Sequence, residues 1–442
     1  MLVCKHWYTL GLSGRLWRSI NIDIDELSVE EAEKISSINH RLTLHCRSFR
    51  TLTFHVGRMR EYNPPETGAY PLTVLMLETF VNLRTIDLSF NRWLDIVAVT
   101  FLTERCPSVT SVNFDGCSLL DDQCLKVVVS AWPNLHSISL SHCELISDDG
   151  LNHLFAMLPR NSLVYLNTDG VYHVSSQTIV SFSDRVSDNL TSVYLDGIKL
   201  DDFAVTSLCT NAKRLQFFGI SFCELLTDLT LFSIAGLATL EHLHLRKSIQ
   251  FTTHGIQHLF SSPSLARSLR RLMFYDISQM NTDCAIRLAQ NLVGLEVLAL
   301  DWCYTIDDVG FEAICLNLHR LRVLSVVGVR FIAASVFRSH PYCLPSLRFL
   351  DLRNCNNVDD ELVKSLVHRQ IVVGNDGNTN KSSCEGVGIN FYNGGVFVVD
   401  YYGELMMPDR SDVGTESVEY DFGLIRAKVK QVDPEALCCL AW

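Results

Sequence analysis

Four pairs of adjacent carboxylates stand in the chain, Asp121-Asp122, Asp148-Asp149, Asp307-Asp308 and Asp359-Asp360. Paired carboxylates suit two kinds of chemistry, general acid and base catalysis and the binding of a hard divalent cation. Their spacing argues for neither. Each pair lies near the start of a helical pattern, and three of the four follow a cysteine at one fixed interval. A side-chain oxygen there caps a helix N-terminus, and the acid after it is favourable against the helix dipole. Fifteen histidines show no H-E-x-x-H spacing, and no G-x-S-x-G, phosphate-loop or dinucleotide-binding glycine pattern occurs. The sequence therefore predicts a protein without catalytic, metal or cofactor residues.

The interval comes from an internal repeat. The pattern L-x-x-L-x-L begins at Leu83, Val109, Leu135, Leu163, Leu190, Leu215, Leu240, Leu269, Leu295, Leu321 and Leu347, at steps of 25 to 29 residues. Self-similarity at such a period marks a solenoid, in which length says nothing about the number of cores. Each unit reads as a short strand, with its fourth and sixth residues inward, then a turn and a helix. A cysteine recurs three residues after the motif, at Cys117, Cys143, Cys223, Cys303 and Cys355, where a small thiol suits a tight buried turn. Four residues further stand Asp121, Ser147, Thr227, Asp307 and Asp359, the expected caps. A weaker copy, "FRTLTF", starts at Phe49, and the prolines and glycine of residues 57–72 make an irregular loop.

The combined pattern, as in "LHSISLSHCELISDDGL", closely resembles the cysteine-containing subfamily of leucine-rich repeats. That resemblance implies an α/β solenoid over residues 42–370, about 12 repeats, curved, with a parallel sheet on the concave side and helices outside. Ahead of the repeats, "VCKHWYTL" and "RLWRSINI" resemble the C-terminal half of an F-box, the helical module by which substrate receptors dock on the Skp adaptor of cullin-RING ubiquitin ligases. Val3, Cys4, Trp7, Leu16 and Trp17 match that family's V-C-x-x-W and L-W positions, so residues 1–25 are expected to be a partial helical module that binds the adaptor. The first half of an F-box has no counterpart in the sequence. Two expectations follow: either a longer product completes the module upstream of Met1, or this form has lost the adaptor.

Composition bounds the partners. A net charge of −12 argues against nucleic acid or anionic membrane as partners, since phosphate binding needs clustered Lys and Arg in excess. No apolar run is long enough to span a bilayer and "MLVCKHW" is too short for a signal peptide, so a cytoplasmic or nuclear protein with free thiols is expected. After residue 370 the repeat stops. Residues 371–442 read as a cap or acidic tail, with a hairpin signal at Asn393-Gly394-Gly395 and a loop-like stretch at 400–422. The end, "CCLAW", places Cys439 fourth from last, as prenylation requires, but Trp442 departs from the usual final residue and no basic stretch supports a membrane anchor.

The binding surface is then the row of third, fifth and seventh residues of each motif, which alternate away from the core. Early repeats place small polar groups and Asp there. The middle repeats place Tyr165, Tyr194, Phe217, His242, His244, Arg246, Arg271 and Tyr275, flanked by Phe222, Lys247 and Trp302. Aromatic and Arg side chains are the usual anchors of protein interfaces. Strands about 4.8 Å apart give a bare face of roughly 500 Å², short of the ~800 Å² per partner of a stable interface. A protein substrate is therefore expected to lie along the middle repeats and to touch a loop rim or the tail, and Arg246, Lys247 and Arg271 suit an acidic or phosphorylated segment.

Overall fold

The computed structural model describes residues 18–27, 47–59, 79–186, 189–197, 199–355, 357–358, 362 and 366, with short strands at 372–374, 398–399, 405–406, 418–421 and 425–429. The chain forms two compact units, one of residues 1–119, 130–132 and 380–442, the other of residues 120–129 and 133–379. Val3, Cys4, Trp7, Leu16 and Trp17 lie outside the described residues, as do Asp359, Asp360, Asn393 and Cys439.

In the first unit, β1 (Ser19–Leu27), β2 (Thr51–Met59), β3 (Thr85–Asp87) and β4 (Ser111–Asn113) run parallel. Ser19 pairs with Thr51, Thr51 with Thr85, and Thr85 with Ser111, so each strand begins at the third residue of a motif. By that register "WRSINI" is itself a repeat strand. This corrects the expectation of a helical module reaching residue 25. The cause is legible: Ile20, Ile22 and Ile24 alternate with polar residues, a period of two that only a strand can use. The tail contributes strands of its own. β17 (Val418–Asp421) and β18 (Ile425–Val429) are antiparallel strands, and β18 pairs with β1 rather than with the last repeat. The two-stranded ladder of β15 (Val398–Val399) and β16 (Leu405–Met406) falls after the expected hairpin signal.

The second unit continues the same logic through β5 (Ser137–Ser139), β6 (Tyr165–Thr168), β7 (Ser192–Asp196), β8 (Phe217–Ser221), β9 (His242–Ser248), β10 (Arg271–Ile277), β11 (Val297–Ala299), β12 (Val323–Ser325), β13 (Phe349–Asp351) and β14 (Val372–Gly374), all parallel. Every neighbouring pair from β5 to β13 matches third residue to third residue. The repeat is thus the register, because slipping by one would turn every core leucine to the opposite face. Helices connect the strands: α3 (Asp148–Met157), α4 (Ser176–Ser183), α5 (Asp202–Asn211), α6 (Asp228–Ala235), α7 (Thr253–Phe260), α9 (Thr282–Asn291) and α10 (Asp308–Asn317), with short α8 (Pro263–Ser268) and α11 (Val336–Ser339). Two more of the described helices are α1 (Ile96–Arg105) in the first unit and α2 (Asp122–Ala131). Leucines at the first, fourth and sixth motif positions, such as Leu240, Leu243 and Leu245, are fully buried. Among the described residues no helix is long and apolar enough to cross a membrane.

The cysteines and aspartates do structural work. Eleven cysteines among the described residues are buried thiols. Cys117, Cys303 and Cys355 donate their thiols to the sixth-position carbonyls of the preceding repeat, Leu88, Phe274 and Val326, at 3.1, 3.6 and 3.1 Å. Burial pushes the Cys355 thiol up to about 12, so it stays protonated and able to donate.

Asp121, Ser147, Thr227 and Asp307 cap their helices as expected, by accepting backbone N–H groups two or three residues on. The following acid has a role beyond the dipole. Asp122 accepts the N–H and hydroxyl of Ser147 in the next repeat at 2.8 and 2.6 Å. Asp202 does the same for Thr227 at 2.9 and 2.6 Å, and Asp228 for Thr252 at 2.8 and 2.6 Å. Asp148 and Asp308 reach Ser175 and the backbone of Ala333 and Ala334. Each carboxylate ties one helix start to the next. Burial alone would raise the Asp202 carboxyl, but the bonds from Thr227 and Thr230 hold it below its usual value. In the pairs Asp121-Asp122 and Asp307-Asp308 both carboxylates accept bonds from the fold.

Candidate functional site

The strand residues that alternate away from the leucine core form the face that the sequence singled out, and in the second unit they make contacts across strands. Tyr165 on β6 and Tyr194 on β7 have ring centroids 6.2 Å apart. Tyr194 lies across Gly219 of β8, where any Cβ would collide with its ring, and it is only 5% exposed. Glycine at that one strand position is what lets the tyrosine lie flat. Phe217 on β8 stacks on His242 of β9 at 4.1 Å, and His244 meets Tyr275 of β10 edge to face at 5.1 Å. In register, His242 sits beside Arg271 and Arg246 beside Tyr275. The aromatic side chains thus cover one another, and Tyr275 and His244 are 4% and 9% exposed.

Burial dominates the electrostatics. It lowers His242 to about 3 and His244 to about 4, with the charges of Arg271 and Arg246 respectively acting in the same direction. Both imidazoles are therefore neutral near neutral pH. Burial likewise pushes the Tyr194 hydroxyl upward.

Phe222, Lys247 and Trp302 stand together in a different sense. They occupy the eighth motif position, where φ is +55°, +54° and +61°. The same left-handed turn is made by Phe90, His142 and Asn354, and by Gly116, Gly170 and Gly328. L residues adopt it at a cost of about 1 kcal/mol. Where a bulky residue precedes a glycine there is a reason: Phe90, His142 and Trp302 each overlie the glycine of the following repeat. Arg246 and Lys247 lie over the Phe222 ring at 5.8 and 5.2 Å, and Lys247 pairs with Glu224 at 3.1 Å. Trp302 contacts Tyr304 at 6.1 Å, and Arg330 lies over Tyr304 at 5.8 Å. The structure therefore brings Tyr165 to Tyr275 onto one face, places Phe222 and Lys247 at its edge, and puts Trp302 with a rim cluster.

A polar group on β11 to β13 was missed by sequence reasoning. Asp301 accepts from Ser325 at 2.6 Å and from the Val327 N–H at 2.9 Å, and Arg353 grips Asp351 at 2.7 and 3.0 Å. Burial, reinforced by Asp351, raises Asp301 to about 6 although its hydrogen bonds oppose the rise. The pairing of Asp301 with Ser325 depends on strand neighbours that a linear reading does not weigh. Arg353 and Lys247 each hold a carboxylate, and Arg246 and Arg271 stand on β9 and β10. Among the described residues no three metal-capable side chains come together.

Comparison with known proteins gives distant relatives. No family model matches the chain. The BTB/POZ domain-containing protein FBL11 of Arabidopsis thaliana is 29% identical over 83 residues, 19% of this chain and 9% of that protein. F-box/LRR-repeat protein 4 of Bos taurus is 25% identical over 207 residues, 47% of this chain and 29% of the relative. A Caenorhabditis elegans protein with a provisional RNA-binding name, EEED8.10, is 26% identical over 300 residues, 60% of this chain and 39% of the relative. The chain spans less than half the length of each of these relatives. Among solved structures, a chain of the yeast Rad7 and Elc1 complex superposes with a TM-score of 0.52 at 16% identity, covering 78% of this chain and 88% of that one, which speaks to the fold alone. The parallel sheet with flanking helices and these matches together make the chain similar, at low identity, to leucine-rich-repeat proteins of the F-box type.

Proposed function

We propose that this protein is the substrate-recruiting subunit of a Skp-cullin-F-box type ubiquitin ligase, acting in the cytoplasm or nucleus and holding a protein segment on the β6 to β10 face. The observation that carries the reading is that face: Tyr165, Tyr194, Phe217, His242, His244, Arg246, Arg271 and Tyr275 in register on five parallel strands. A sheet face with no partner has no use for so many anchor residues. The recruited segment would carry negative charge, matching Arg246 and Arg271. The chain itself performs no chemistry. It raises the effective concentration of substrate lysines near the transferring enzymes. Similarity to F-box proteins and the F-box-like residues Val3, Cys4, Trp7, Leu16 and Trp17 support the ligase link.

The test is binding to purified Skp adaptor, measured for the chain carrying its natural upstream sequence. Submicromolar binding that Trp7→Ala and Trp17→Ala weaken at least about tenfold, an interface hot-spot effect, is the expected result. Absence of binding in the extended, folded protein leaves a protein-interaction scaffold without a ligase, with the same face and a different assembly.

A further inference from the structure

Four consecutive helices of the second unit differ from their neighbours in charge. α4, α5, α6 and α7 hold no Lys, Arg or Glu, and their two aspartates are engaged at helix starts, Asp202 with Thr227 and Thr230 and Asp228 with Thr252. Charge returns on either side, with Asp149 on α3 and Asp283, Arg287 and Glu312 on α9 and α10. A helix at a protein surface normally turns charged groups outward. These turn out apolar ones instead: Phe203 on α5 is 69% exposed, Leu229 and Phe232 on α6 are exposed, and the turns entering α6 and α7 add Leu225 and Ile249. The side chains are adjacent. The Thr206 and Ser233 hydroxyls join α5 to α6 at 2.8 Å, and Phe203 and Leu229 lie one turn before them. Phe232 packs on His258 of α7 at 4.6 Å and on His254 at 6.3 Å. Hydroxyls between the apolar groups already have partners, Ser183 with Ser207 at 2.7 Å, Thr210 with the Thr206 carbonyl at 2.7 Å and Ser233 with the Leu229 carbonyl at 2.9 Å. Covering the face leaves none of these unsatisfied.

From this surface we infer that α4 to α7 form the contact between two copies of this chain, related by a two-fold axis. In such a dimer a patch meets itself, so a charge exposed on it meets its like. Two copies of net charge −12 repel in most orientations, and a helix face without Lys, Arg or Glu is where they can approach closely. Four helices ~10 Å apart and about 12–15 Å long project roughly 500 Å². Protruding side chains and the two turns raise this toward the ~800 Å² per partner of a standard interface. Composition agrees, since an interface core is depleted of charge, enriched in aromatic residues and ringed by polar ones. Phe203 and Phe232 are the anchors, and Asp184, Arg185, Lys213 and Arg214, which follow α4 and α5, supply a polar rim. The two imidazoles against Phe232 hold its ring before the partner arrives, which lowers the cost of ordering it. A contact of this size gives a dissociation constant of about 1–100 μM. The dimer does not depend on the β6 to β10 face being a substrate surface. It leaves that face uncovered in both copies, because the helices lie across the leucine core from it, so a partner with two segments would gain avidity.

The experiment is sedimentation equilibrium of the whole chain from about 1 to 200 μM, a range that brackets the expected constant. The expected result is an average mass that rises from one chain toward two and no further, since a two-fold contact closes. Phe203→Glu/Phe232→Glu sets like charges face to face and should weaken the dimer at least about tenfold, while Arg287→Glu on neighbouring α9 leaves it unchanged. Raising salt from about 50 to 300 mM should tighten the dimer, because it screens the repulsion between acidic copies. Thermal unfolding checks that the double variant is folded. Should it unfold, hydrogen exchange in the wild-type chain decides instead, with the amides of α5 to α7 exchanging more slowly at high concentration than at low. A chain still monomeric at about 200 μM overturns the inference. So does a dimer that survives the double variant, dissociates with added salt or shows no slowed exchange in α5 to α7. A monomer whose double variant no longer binds a purified partner of the wild type gives the face to that partner and likewise overturns the dimer.

Discussion

Asp202 is the residue on which the stacking of helices can be tested most cleanly. Its carboxylate accepts four bonds, from the N–H and hydroxyl groups of Thr227 and Thr230, and Thr230 is fully buried. Asp202→Ala leaves these donors without their acceptor, so a loss of about 1–3 kcal/mol is expected in urea unfolding. Thr227→Val should add little in the Asp202→Ala background, since one network is removed only once. Because the folded Asp202 carboxyl is lowered, its contribution is present above the unfolded value and is lost as pH falls through the folded one.

The histidines act in a higher pH window. An unfolded histidine titrates near 6.5, while His242 and His244 are lowered to about 3 and about 4 in the folded chain. The unfolded state then binds more protons between those values, so stability falls on acidification from about pH 6.5 toward about pH 4, by up to about 1.4 kcal/mol per pH unit for each ring. Asp301, raised to about 6, has the opposite sign over part of this window. Two histidines outweigh one aspartate. Unfolding measured across the window should show a net loss toward acid, and His244→Gln should make the curve nearly flat.

At the scale of the element, the strands were legible because register and repeat coincide: the third residue of each motif begins a strand from Thr85 to Phe349. The helix caps were legible for the same reason, since Ser147, Thr227 and Asp307 recur at one offset. Two features were not. The carboxylate that follows each cap bonds to the next repeat about 25 residues away, a partner that periodicity alone does not name. Left-handed φ at the eighth position was hidden because Phe222, Lys247 and Trp302 occupy it as readily as glycine does. Gly219 tests the face at this scale. Gly219→Ala places a methyl against the Tyr194 ring and should cost about 1–3 kcal/mol. It should also loosen the Tyr165 and Tyr194 pair, read as a change in tyrosine fluorescence or ring-proton shifts.

For the whole molecule, the fold and its partner surface divide unequally between sequence and structure. The repeat, its buried thiols and the aromatic face follow from spacing and residue type. The pairing of Lys247 with Glu224 and of Arg353 with Asp351 does not, because it depends on where the folded backbone places the side chains. The opening residues 19–27 read as a module end when taken by motif, and as a strand when taken by the alternation of isoleucines; the backbone follows the alternation.

The measurement that bears most directly on the substrate face is a quantitative comparison of the proteins co-isolated from cells with the wild-type chain and with Arg246→Glu/Arg271→Glu, after thermal unfolding has shown the two to be equally folded. The account predicts that a defined set of partners is lost at least about tenfold, as for truncated hot spots, while association with the Skp adaptor is unchanged. An identical set of partners for both proteins would contradict it and place the binding surface off the β6 to β10 face.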